Sequence, residues 1–198
     1  IRIRWFLCAG LLAFAALALS RTDSVARQGF YVFLVLGAVL SIANALFSYS
    51  LRHGVNPALL ARMQILCDLS FLLLAVYFSG GVESPLLFCY PLCIIMAGII
   101  LDRARCFLVV FLAWGSFCAM AWAEIAGVIP HHLLGAVPYS VRTAPLAFEP
   151  SYVVLVIALD LCVLLLIAYF TTAIVERLST EERHGVAVRQ RSELIMEA

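Results

Sequence analysis

The sequence predicts an all-α integral membrane bundle of six transmembrane helices, followed by a charged helix that leaves the membrane on the cytoplasmic side. Three observations lead there. Of the 198 residues, 65% are hydrophobic and only 13% charged, against about 25% charged in ordinary soluble domains. Mean hydropathy is +1.06, and no soluble fold of this length hides so much apolar surface. Six apolar runs, at 4–20, 29–49, 58–79, 85–101, 105–128 and 151–175, approach the roughly 20 residues that cross a hydrocarbon core. All 13 basic residues are arginine, and their spacing fits one orientation.

The first run follows Arg2 and Arg4 and so begins like a signal peptide. Residues 20–27 offer only a weak cleavage site and five more runs follow, so it is read as a retained span. An inner N-terminus puts ten arginines (2, 4, 52, 62, 103, 105, 177, 183, 189 and 191) in the cytoplasm and leaves Arg21, Arg27 and Arg142 outside. This bias predicts a multi-pass membrane protein with both termini cytoplasmic. The fourth run is short, and Pro91 inside it is expected to kink the helix. The outer connection at 129–150 carries prolines at 130, 138, 145 and 150, which excludes a long helix. Two units result: a membrane domain at 1–175, and at 176–198 the start of a cytoplasmic connecting helix in which Glu and Arg interleave with Leu178, Val188 and Ile195.

Composition excludes several functions. A formal net charge of +1 gives no sign of nucleic-acid binding. No phosphate-binding glycine loop, hydrolase elbow, zinc-protease helix or kinase signature occurs, so no catalytic residue, cofactor or metal is assigned to this chain. The seven cysteines lie in or beside apolar runs, unlike a secreted disulfide framework. Cys89 and Cys93, four apart, are expected to share a helix face and to pack as small apolar side chains.

Polar residues inside apolar runs are the switch candidates. Asp68 and Asp160 fall about ten residues into the third and sixth spans, near the midplane, where an ionised carboxylate costs a few kcal/mol or more. Each either responds to proton or ligand occupancy or bonds to a neighbouring Ser, Thr or carbonyl and fixes packing. Glu124, near the outer end of the fifth span, is expected to be solvated at the interface. With His131 and His132 it makes a candidate proton-sensitive or metal-binding cluster, the plainer expectation being two solvated loop histidines.

The stretch DLSFLLLAVYFSGGVESPLLFCYPLCIIMAGIIL, from Asp68 through Leu101, resembles the membrane sensor region of bacterial six-helix histidine kinases of the PilS type. The resembling features are an acid early in the third span, Asp68, and a short outer turn with Gly80, Gly81, Ser84 and Pro85. AEIAGVIP, from Ala123 to Pro130, resembles the end of their fifth span. More loosely the turn resembles the GGxxNPF segment of RegB-type redox kinases, with Ser84 in place of Asn and Leu86 in place of Phe. That second resemblance implies contact between the turn and membrane quinone.

The resemblances imply the input module of a two-component sensor kinase in a bacterial inner membrane, dimeric in the bilayer, with residues 176–198 beginning its signalling helix and with a membrane-protein ligand such as pilin. A phosphoacceptor histidine, an ATP- and Mg-dependent kinase domain and a response regulator would lie outside this chain. The same input joined to a cyclase or another output domain reads no differently in this sequence. The alternative is a small transport or vitamin-binding membrane subunit, in which the midplane acids line a solute or proton path.

Overall fold

A computed structural model describes residues 24–131 and 146–196, with side chains at 31–131, 146–181 and 184. Among these residues all regular structure is helical. Five α-helices run in chain order: α1 Ser24–Arg52, α2 Pro57–Phe78, α3 Tyr90–Ile100, α4 Arg103–Ile125 and α5 Pro150–Met196. Short 3-10 turns lie at Gly81–Glu83, Pro85–Cys89 and Leu146–Phe148.

Local chemistry explains the boundaries. After α1, Gly54 adopts φ 78°, a left-handed conformation that costs glycine no Cβ clash. The Asn56 side chain then accepts a hydrogen bond from the Ala58 N–H at 2.9 Å, and Pro57 opens α2 where its missing N–H is not needed. Asp102 caps α4, accepting from the Arg105 N–H at 3.4 Å and pairing with the Arg105 guanidinium at 3.1 Å. Gly127, at φ 69°, ends α4, and the Val128 N–H closes onto the Ala123 carbonyl at 2.9 Å.

Four segments are long and apolar enough to cross a membrane: Tyr31–Arg52, Pro57–Phe78, Arg103–Ile125 and Pro150–Glu181. Among the described residues four spans are shown, not six. The run at 4–20 lies outside the described residues. The run at 85–101 becomes a shorter apolar helix, Pro85–Ile100, in which a 3-10 turn leads into α3. At about 2.0 Å per residue in 3-10 and 1.5 Å in α geometry it reaches roughly 26 Å, less than the roughly 30 Å core. Pro91 sits in the first turn of α3, and the carbonyl four residues back, that of Leu87, accepts from the Tyr90 N–H instead.

Packing is centred on α4. Its buried residues Cys106, Val109, Val110, Ala113, Phe117, Met120, Ala121 and Glu124 recur every three or four positions, forming one stripe. That stripe meets Ile65, Leu69 and Val76 of α2, Tyr90, Ile94 and Ala97 of α3, and Leu164 and Ala168 of α5 in one core. A small residue sets one close crossing: a Cβ on Gly98 would stand 2.8 Å from Thr171 Cγ2, so α3 and α5 approach through glycine. Trp114 Nε1 donates to the Ile157 carbonyl at 3.1 Å, tying α4 to α5. Large apolar side chains such as Leu155, Leu159, Leu166, Phe170 and Ile174 face outward, the distribution a lipid solvent permits and water would penalise.

The expected division at residue 175 coincides with no break in the helix, because α5 continues for 47 residues. At 1.5 Å per residue this is about 70 Å, more than twice the thickness of a hydrocarbon core. Arg103 lies 3.7 Å from Glu176 and 5.7 Å from the Tyr169 ring centroid, marking where α4 begins beside α5.

Candidate functional site

The most unusual chemistry gathers at the end of the bundle that carries the glycine turn. α2 ends at Phe78, and the Ser79 hydroxyl folds back to donate to the Val76 carbonyl at 3.0 Å. Gly80 at φ 122° and Gly81 at φ 57° reverse the chain, a path that residues with a Cβ rarely take. Ser84 then accepts from the Leu86 N–H at 3.1 Å, starting the Pro85–Cys89 turn, and its hydroxyl bonds to that of Ser79. Both serines are buried, and their bonds close the loop internally.

The turn lies directly on Glu124. A Cβ at Gly81 would stand 2.7 Å from Glu124 Oε1 and 2.8 Å from its carboxyl carbon, and closer still to Oε2. The interfacial solvation expected for Glu124 is thus overturned: it is 1% exposed. The buried stripe of α4 continues through Glu124, and a glycine opposite lets the turn close over the carboxylate. Among the described residues neither carboxylate oxygen has a hydrogen-bond partner, which is costly for a buried polar group.

The nearest basic group is His131. Its Nδ1 is 3.5 Å from Glu124 Oε1, and the His131 side chain is 5% exposed. That separation allows ionic pairing, but neither ring nitrogen makes a hydrogen bond. The imidazole meets the Phe148 ring edge-on at 5.6 Å. His132 lies outside the described residues, and among those described no group of three His, Cys, Asp or Glu side chains is arranged to hold a metal ion.

Two further bonds complete a clasp around this pair. Tyr77, at the end of α2, donates its hydroxyl to the Pro130 carbonyl at 2.9 Å. Glu83, in the turn, accepts from the Ala147 N–H at 2.9 Å, just before α5 begins at Pro150. The glycine turn therefore touches both the end of α4 and the entry to α5. Tyr77, Ser79 and Glu83 were not singled out by sequence reasoning, because a hydroxyl or carboxylate beside a turn reads as solvated.

The other candidates lie elsewhere. Asp160 is on α5, half-buried, with Oδ2 buried and without a hydrogen-bond partner. It is within electrostatic range of Tyr90 and Cys118, and the Tyr90 hydroxyl is itself buried and unpartnered. Asp68 is half-buried on α2, roughly 15 Å along the helix from Phe78. Cys89 ends a 3-10 turn while Cys93 lies within α3, so they do not share one regular helix as expected. Asn44 on α1, unremarked in the sequence reading, is fully buried with both side-chain polar atoms unpartnered. An amide in an apolar run is a signal of the same kind as Asp68.

No family model, curated protein or solved structure matches this chain.

Proposed function

We propose that this chain is the membrane input module of a sensor of the histidine-kinase type, carrying a membrane or extracytoplasmic stimulus to an output domain outside this chain. The supporting observation is mechanical. One unbroken helix, α5, begins beside the glycine-turn clasp at Leu146–Phe148 and continues past Glu176 into a charged segment. A change at the clasp that favours one placement of α5 therefore moves residues some tens of ångströms away without crossing a hinge. The ligand must bind two placements with different affinity, since equal affinity shifts nothing.

The turn end faces outward in this reading, and Arg52, Arg62, Arg103, Arg105 and Arg177 gather at the cytoplasmic end. The partners are lipid, a second copy of the chain, and either a membrane-protein ligand such as pilin or a quinone at the 80–85 turn. Asp68 and Asp160 are the midplane switch candidates.

The test is the native reading frame past the codon for Ala198, followed by autophosphorylation of its product in vesicles. A phosphoacceptor histidine, an ATP-binding domain and phosphorylation altered by Glu124→Gln support the proposal. A frame that closes without an output domain overturns it.

The second reading, a small transport or vitamin-binding subunit, is favoured by the unpartnered carboxylate oxygens of Glu124 and Asp160, which a proton path would use. Against it, α2, α4 and α5 pass mid-length without the interruptions that many transporters place at their binding sites. Flux of a solute or proton across proteoliposomes separates the two.

A further inference from the structure

We propose that Glu124 and His131 form a proton-binding site that holds one proton between them, and that this occupancy keeps the glycine turn clasped to the entry of α5. The proposal concerns the clasp itself and does not depend on what output the helix serves.

Charge counting carries it. Glu124 is 1% and the His131 side chain 5% exposed, with Nδ1 and Oε1 3.5 Å apart. With no proton the pair has net charge −1, with one it is neutral, and with two it is +1. Burial of net charge is costly, whereas a neutral pair is tolerated whether the proton rides on nitrogen or on oxygen. Among the described residues no other partner competes, because both carboxylate oxygens and both ring nitrogens lack hydrogen bonds there. Gly81 leaves no room for a side chain over the carboxylate, so a proton fits where a larger ligand does not.

The clasp relieves the charged states by opening. Water is admitted to the pair when the 81–83 turn lifts from Glu124 or when the segment holding His131 moves. The first strains the Glu83 bond to the Ala147 N–H, and the second strains the Tyr77 bond to the Pro130 carbonyl and the His131 contact with Phe148. Either movement frees the start of α5. The clasp is therefore tightest at intermediate pH and loosens on both sides.

Among the described residues, Tyr77 of α2 is the titratable group within electrostatic reach of Glu124, and Glu83 of the turn is held by the Ala147 N–H. Glu149 precedes α5 on an exposed position.

The experiment is hydrogen–deuterium exchange of the full chain in lipid nanodiscs between pH 4 and 10, corrected for the intrinsic pH dependence of exchange and read at the amides of Glu83, Ser84 and Ala147. The wild type is expected to give a bell-shaped protection profile that falls about tenfold or more on each side. Glu124→Gln should abolish the alkaline fall and keep the acid one. His131→Asn should do the reverse, and the double variant should be flat. The double variant is neutral at every pH and so remains informative if a single variant folds poorly. A flat wild-type profile overturns the proposal. So does an acid limb that survives His131→Asn but disappears in Glu83→Gln, or an alkaline limb that survives Glu124→Gln but disappears in Tyr77→Phe.

Discussion

At the scale of single residues, Gly81 is restricted by two separate effects. Its φ of 57° excludes most side chains, and any Cβ would collide with the Glu124 carboxylate. Gly127 has a similar φ of 69° but open space around it, so comparison of the two separates strain from collision. Gly127→Ala should cost about 1 kcal/mol of stability from backbone strain alone. Gly81→Ala should cost about 2 kcal/mol or more, and Glu124→Ala in the same chain should recover part of the excess. Unfolding in mixed micelles, arranged as a double-mutant cycle, measures the difference. Equal costs at the two glycines would mean that the turn does not rest on Glu124. Sequence reasoning identified Gly81 and Glu124 separately, one as a turn residue and one as an interfacial acid. Their meeting depends on the rotation of α4, which an almost uniformly apolar helix does not reveal.

At the scale of elements, α3 and α5 meet through Gly98, where a Cβ would stand 2.8 Å from Thr171 Cγ2 and 3.1 Å from Thr171 Cβ. Gly98→Ala should therefore lower stability even though alanine is intrinsically the better helix former. Thr171→Ala in the same chain should restore part of the loss. Raised stability in Gly98→Ala alone would show that the crossing is looser than described. The continuity of α5 gives a second test, made on the full-length native protein. One alanine inserted after Arg177 rotates everything downstream by about 100°, whereas seven residues leave a net rotation of about 20°. Output should be lost with one residue and largely kept with seven, and equal output from both would exclude rotational coupling. The six apolar runs were readable because hydropathy needs no tertiary knowledge. The shortness of Pro85–Ile100 and the placement of Pro91 were not, since a 3-10 turn and an α-helix share the same composition.

At the scale of the whole molecule, the four long apolar segments define two ends. Arg103 beside Glu176 marks one, and the clasp of Tyr77, Glu83, Glu124 and His131 marks the other. α2 lies between the turn at His53 and Gly54 and the turn at Gly80 and Gly81, so a membrane crossed by α2 has these two turns on opposite faces. Single cysteines replacing His53 and Val128, both exposed, should react with an impermeant thiol reagent from opposite sides in a cysteine-free background. The arginine bias predicts that position 53 is the one protected in intact cells. Labelling of both from one side would overturn the bundle's orientation.

The sequence by itself determined that this is a helical chain for an apolar solvent, where the long helices lie, and which turn carries the conspicuous glycines. These properties follow from composition and local backbone preference, and each is decided within a window of about 20 residues. Only the tertiary structure decided that Glu124 is buried, that Gly81 roofs it, that His131 faces it, and that the turn also grips the entry to α5. Those relations join residues up to 64 positions apart. They are set by the rotation of helices whose outward faces are as apolar as their inward ones, so periodicity in hydropathy, the usual guide to a buried face, is missing from this sequence.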